Sequence, residues 1–85
     1  MEQFHYTITD KLGIHARPAG LLVKEASKFN ANVTLNVGEK NAAGNKLFAI
    51  MGLSAKQGDT ITVRVEGPDE KDAAAALQTF FEQNI

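Results

Sequence analysis

Two hydrophobic periods alternate along this chain, and that alternation constrains its fold more than any other feature. Phe4, Tyr6 and Ile8 alternate with Gln3, His5, Thr7 and Thr9. Val33, Leu35 and Val37 repeat the pattern, as do Ile61, Val63 and Val65 set between Thr60, Thr62, Arg64 and Glu66. A period of two puts each apolar set on one face of a strand. Between these runs Ala19, Leu22, Val23 and Ala26 recur at helical spacing, and near the end Ala73, Ala74, Leu77, Phe80 and Phe81 form a second such stripe. Strands with one apolar face and helices with one apolar stripe bury both by stacking in two layers. The expected fold is therefore α+β, an open-faced sandwich. It has a four-stranded antiparallel sheet covered on one face by three helices, in the order β-α-β-β-α-β-α.

Punctuation places the elements. Asp10 to Gly13 break the first strand, and a helix runs from Ala16 to about Phe29, ended by Asn30-Ala31-Asn32. Gly38-Glu39 turns the second strand into a short third one around Lys40–Ala43. Asn45 is the expected N-cap of a short helical turn, Leu47 to Met51, that stops at Gly52. Gln57-Gly58-Asp59 precedes the last strand, and Gly67-Pro68-Asp69 closes it. Asp69 is the expected N-cap of the final helix, with Glu70 and Asp72 favourable in its first turn. Residues 1–85 make one domain, since a chain this short has no room for a second core. Such a chain buries only about 60–65% of its unfolded surface. It has no cysteine, and its two histidines form no cluster of metal-site spacing, so neither metal nor other cofactor is expected. No apolar run approaches membrane-spanning length and no basic-then-apolar leader opens the chain, which points to the cytoplasm.

The chemistry concentrates at Gly13-Ile14-His15-Ala16-Arg17-Pro18. His15 stands at or beside the N-cap of the first helix, where the leading backbone N–H groups lack intrahelical partners and the dipole is positive. Pro18 falls in that first turn, where a missing N–H costs little. Arg17 adds a planar fork of donors suited to phosphate or carboxylate. A histidine ahead of a helix is commonly just a partly exposed cap neighbour. Here the glycine before it, the arginine after it and the helix starting between them make a nucleophile inside an anion site, with phosphate as the expected anion. His5 lies on the polar face of the first strand and is read as an ordinary exposed residue.

Charge supports an acidic partner. The net charge is −1, yet between Lys11 and Lys56 seven cations stand against two acids, leaving +5, while the remainder carries two cations and eight acids, leaving −6. The basic stretch holds His15 and would steer acidic partners to it. Nucleic acid is not expected, because no basic stripe interleaves with aromatics. The short helix holds Leu47, Phe48, Ile50 and Met51. In a generic domain all four would be core, but a helix this short can bury only one stripe, so some must face out; Phe48 and Met51 are assigned to docking and Ile50 to the interior.

These residues resemble a known family. Gly13-Ile14-His15-Ala16-Arg17-Pro18-Ala19 is similar to the phosphorylation motif of the histidine-containing phosphocarrier proteins (HPr) of the bacterial sugar phosphotransferase system. The likeness extends to chain length, element order, Leu47-Phe48, Gln57-Gly58 and the last helix. It implies the same open-faced sandwich. It also implies that His15 takes a phosphoryl group on Nδ1 from enzyme I, charged by phosphoenolpyruvate, and passes it to sugar-specific IIA proteins. Arg17 matches the arginine beside the phosphohistidine. Ala16, Gly20, Leu47, Phe48 and Met51 match the apolar patch used by both partners, and Lys24 part of its basic rim. The resemblance implies a monomeric, stoichiometric carrier rather than an enzyme. An alternative is a regulatory homologue, nitrogen-type or catabolite-signalling, whose phosphorylated His15 controls partner proteins. Two positions depart from the family. Many members carry a regulatory serine just before the second helix, where this chain has Lys46, or Ala49 in a shifted register. Neither has a hydroxyl, and Ser54 is read as a loop residue, so serine-linked regulation loses its basis. Leu12 replaces a residue that is often small and polar.

Overall fold

A computed structural model describes residues 1–85. Its elements are β1 (Glu2–Thr7), α1 (Ala16–Ala26), β2 (Asn32–Val37), β3 (Lys40–Ala43), α2 (Leu47–Gly52), β4 (Thr60–Glu66) and α3 (Glu70–Asn84), in the expected order. The sheet runs β1-β4-β2-β3 with every pairing antiparallel. Register sets Phe4 opposite Val63 and Tyr6 opposite Ile61, then Val33 opposite Val65 and Leu35 opposite Val63. Directly opposed residues share a face, so the three alternating runs merge into one apolar surface. Ala19, Leu22 and Ala26 of α1 and Ala73, Leu77, Phe80 and Phe81 of α3 are buried with it. The Phe81 ring stands 5.6–6.0 Å from those of Phe4, Tyr6 and Phe80, at tilted or edge-on angles that suit ring quadrupoles.

The other face of the sheet stays polar and uncovered by helices. His5 Nδ1 lies 2.9 Å from Thr62 Oγ1, and Arg64 Nε donates to Gln3 Oε1 at 3.0 Å. His5 is exposed there, as expected.

Three local expectations are corrected. Helix α1 ends at Ala26, not Phe29. The Ser27 hydroxyl donates to the Val23 carbonyl at 2.7 Å, and the Lys28 and Phe29 amides take the tighter i−3 bonds to Glu25 and Ala26. A side chain competing for helix carbonyls, followed by a narrowed turn, stops the α-helix. Phe29 still packs against the core. Lys46, not Asn45, caps α2, and no side chain bonds there. The Lys46 carbonyl accepts the Ile50 amide, so the backbone alone starts this short helix. Asp69 does occupy the N-cap of α3, but its side chain does not cap that helix. Asp69 Oδ2 accepts the Asn30 amide at 2.9 Å, so the carboxylate ties the loop after α1 to the start of α3. Gly67 makes this approach possible: at φ +157, a Cβ there would lie 2.6 Å from Ala31 Cα.

Candidate functional site

The segment from Thr9 to His15 is held by backbone bonds from two distant parts of the chain. The amides of Thr9 and Asp10 donate to the Ile85 oxygen at 3.0 and 2.8 Å. Asp10 Oδ1 accepts the Leu12 amide at 2.8 Å, and the Asp10 carbonyl accepts that of Gly13 at 3.0 Å. This is an Asx turn, in which a short acid replaces the backbone acceptor two residues on. Gly13 follows at φ +65, and an added Cβ would sit 2.1 Å from the Ala55 oxygen. The bare backbone there lets the Ile14 amide reach that same oxygen at 3.0 Å, with the Ile14 side chain buried. His15 is therefore delivered to the helix start by a loop with little freedom.

His15 is the N-cap of α1, with extended backbone and a carbonyl that accepts the Ala19 amide at 3.0 Å. Its ring does not cap the helix. Pro18, buried in the first turn, has no N–H to satisfy. The amides of Ala16 and Arg17 donate to no acceptor of the chain, so two donors at the positive end of the dipole remain available beside the imidazole. The His15 side chain is 37% exposed, and its Nε2 lies 4.0 Å from Asp10 Oδ2. Arg17 is exposed and makes no ion pair. A hollow of about 240 Å³ opens here, lined by Asp10, His15, Arg17, Pro18, Leu21, Gln83 and Asn84. Sequence reasoning named His15 and Arg17 but missed three polar members. Gln83 and Asn84 carry no signal, because α3 brings them in from the far end of the chain. Asp10 carries a weak local one, the Asp-x-Leu-Gly spacing of an Asx turn.

The other expected residues lie in two groups. Ala16, Gly20 and Lys24 fall at intervals of four, one stripe of α1. Ala16 and Lys24 are exposed, and nothing comes within 4 Å of the place a Gly20 Cβ would occupy. Lys24 sits roughly 13 Å along the axis from His15, at nine residues of helical rise. It belongs to the same face but not to the hollow. On α2, which packs against α1, Phe48 is 84% exposed and Met51 37%, while Ile50 is fully buried and Leu47 half-buried against the core. The outward assignment of Phe48 and Met51 and the inward one of Ile50 match this arrangement. Leu12 is 72% exposed on the turn before His15 and Leu21 42% on α1. An imidazole nitrogen beside two free amides and a guanidinium can attract an anion and react with it. Leu12, Leu21, Phe48 and Met51 leave large apolar side chains exposed on the loop before His15, on α1 and on α2.

Comparison with known proteins identifies the family and the fold. The family described as "PTS HPr component phosphorylation site" matches residues 2–83. The phosphocarrier protein HPr of Mycoplasma capricolum is 41% identical over 78 residues, which is 92% of this chain and 88% of that one. Among solved structures, a Mycoplasma histidine-containing phosphocarrier protein superimposes with a TM-score of 0.93 at 38% identity, covering 96% of this chain and 93% of the other. Crh, the Bacillus subtilis catabolite repression protein solved as a domain-swapped dimer, matches with a TM-score of 0.78 at 29% identity over 100% of this chain and 98% of its own. No helix is long and apolar enough to cross a membrane. The chain therefore belongs to the HPr family, the phosphocarrier proteins of the phosphotransferase system.

Proposed function

We propose that this protein accepts a phosphoryl group on Nδ1 of His15 from enzyme I and hands it to sugar-specific IIA proteins, working as a cytoplasmic monomer. The observation that carries the proposal is the exposed imidazole at the start of α1, with the Ala16 and Arg17 amides unpaired beside it. In the assigned roles His15 is the nucleophile, Arg17 and the two amides hold the phosphoryl oxygens, and Ala16, Gly20, Lys24, Leu47, Phe48 and Met51 meet the partner. A neutral imidazole offers a nitrogen lone pair that can attack phosphorus. The helix end then favours the attached phosphate by only about 0.3–1 kcal/mol at an exposed site. A weak hold suits a carrier, because a deep well would trap the group. Phosphoryl transfer depends chiefly on positioning and charge stabilisation, much of which the partner supplies.

The test is incubation with phosphoenolpyruvate and enzyme I. Wild type should gain an acid-labile phosphoryl group that His15→Ala lacks, while His15→Ala keeps its stability within about 0.5 kcal/mol, as an exposed site allows. Arg17→Ala should slow transfer about tenfold or more, the loss of a charge-assisted hydrogen bond; an unchanged rate would refute its role. A second reading, a regulatory homologue whose phosphorylated state controls other proteins, is favoured by the likeness to Crh. Transfer onward to sugar-specific IIA proteins supports the carrier, and its absence supports the regulator.

A further inference from the structure

We propose that Asp10 is a positioning residue that fixes which nitrogen of His15 carries the proton, keeping Nε2 protonated and Nδ1 free to react. This rests on the phosphocarrier reading and adds a residue to its site. The carboxylate is itself fixed. Its Oδ1 accepts the Leu12 amide at 2.8 Å, and its backbone amide is bound to the Ile85 oxygen. That leaves Oδ2 facing His15 Nε2 at 4.0 Å. Neither Arg17 nor any lysine pairs with Asp10, so no cation competes with the imidazole for its carboxylate. At 4.0 Å this is the attraction of a carboxylate for an N–H dipole rather than a formed hydrogen bond, a contact of the kind that tightens as the reaction proceeds.

A negative charge on the ε side of the ring favours the tautomer with its proton on Nε2. The lone pair on Nδ1 is then the one left free to react. The consequence for transfer follows from electron counting. On acceptance, the Nδ1 pair forms a bond to phosphorus, and the bond from phosphorus to the phosphorylated donor protein breaks with its pair returning to the donor. The ring, still protonated on Nε2, becomes cationic beside Asp10, which offsets that charge. On release, the Nδ1–phosphorus bond breaks and its pair returns to Nδ1, so a neutral imidazole departs. Without the Nε2 proton an imidazolate would have to leave, a far poorer leaving group.

Asp10→Asn tests this with little room for ambiguity in orientation. The Leu12 amide requires an oxygen, so the Asn oxygen stays on it and the Asn NH2 takes the place of Oδ2. A donor then faces Nε2 and favours the proton on Nδ1, which blocks the nucleophile. Nitrogen-15 NMR of the neutral ring should show a shift of population from Nε2–H toward Nδ1–H, while the Leu12 amide resonance stays in place. Phosphoryl acceptance from enzyme I should slow about tenfold; a buried triad loses far more from the same substitution, but here water competes for an exposed ring. An unchanged tautomer in Asp10→Asn overturns the proposal whatever the rate does, and so does a shifted tautomer with an unchanged rate. A wild-type chain that takes no phosphoryl group from enzyme I at all would instead overturn the carrier function, and the transfer role of Asp10 with it. That outcome is distinguishable because wild type alone reports it.

Discussion

Phe48 and Ile50 stand two residues apart on the same short helix and have opposite fates. Ile50 is fully buried and Phe48 84% exposed. An exposed phenylalanine adds nothing to the core, so its removal should leave stability almost unchanged while weakening a docking contact. Phe48→Ala is expected to raise the apparent KM for transfer from enzyme I, by the factor that corresponds to about 2 kcal/mol for a central aromatic anchor. Its unfolding midpoint should match wild type in the same preparation. At this scale the sequence was informative wherever the answer depended on near neighbours. The helix starting at Ala16, the cap position of His15 and the division of α2 into inner and outer residues all follow from spacing and from a helix's limited capacity to bury. Asp10 was not legible as part of the site, because nothing in five residues of loop states that its carboxylate turns toward the ring. Leu12 is an exposed apolar residue whose placement the fold does not explain.

Element α3 shows a helix start built from contacts the sequence suggested only in part. Glu70 and Asp72 do stand in its first turn. Glu70 does more than complement the dipole. Its Oε2 lies 2.7 Å from the Met1 amino group, and its Oε1 accepts the Gly67 amide at 3.2 Å. The hydrogen bond from the amino group, followed by that from Gly67, holds the Glu70 carboxyl below its usual range, and the bond to Glu70 raises the Met1 amine above its own. The lowered carboxyl contributes stability that is present above its unfolded value and lost as pH falls through the folded one. The raised amine contributes stability that is present below its unfolded value and lost as pH rises through the folded one. Glu70→Gln should therefore lower the urea midpoint at neutral pH. The gap to wild type should close in strong acid, and in alkali it should shrink to the difference between a charged and a neutral acceptor for the Gly67 amide. A gap that does not vary with pH would contradict the ion pair. Asp69 makes the complementary point. Its cap position was read from local sequence, yet its carboxylate serves the Asn30 amide instead.

For the molecule as a whole, charge and size act together. The stretch from Lys11 to Lys56 carries a surplus of +5 against −6 elsewhere. The longest dimension is 33 Å, several times the Debye length of about 8 Å at physiological ionic strength. A net charge near zero therefore does not hide the local surplus from an approaching partner. The association rate with enzyme I is expected to fall about tenfold between low and high salt, with the rate of bound transfer much less affected; stopped-flow mixing at several ionic strengths checks this. The sequence by itself determined the element order, the two-layer class, the inward faces of three strands and of the two long helices, and the place of His15 at a helix mouth. Each of these depends on periods and caps that act within a few residues. Only the tertiary structure decided the β1-β4-β2-β3 order, the Ile85 oxygen on the Thr9 and Asp10 amides, the Ala55 oxygen against Gly13, and the meeting of Asp10 with His15 over Gln83 and Asn84. Most of these join residues tens of positions apart, and even Asp10 reaches His15 through a loop those distant contacts shape. Chain connectivity leaves such pairings open until the apolar faces close on one another, and the choice is then made by which closure buries them all at once.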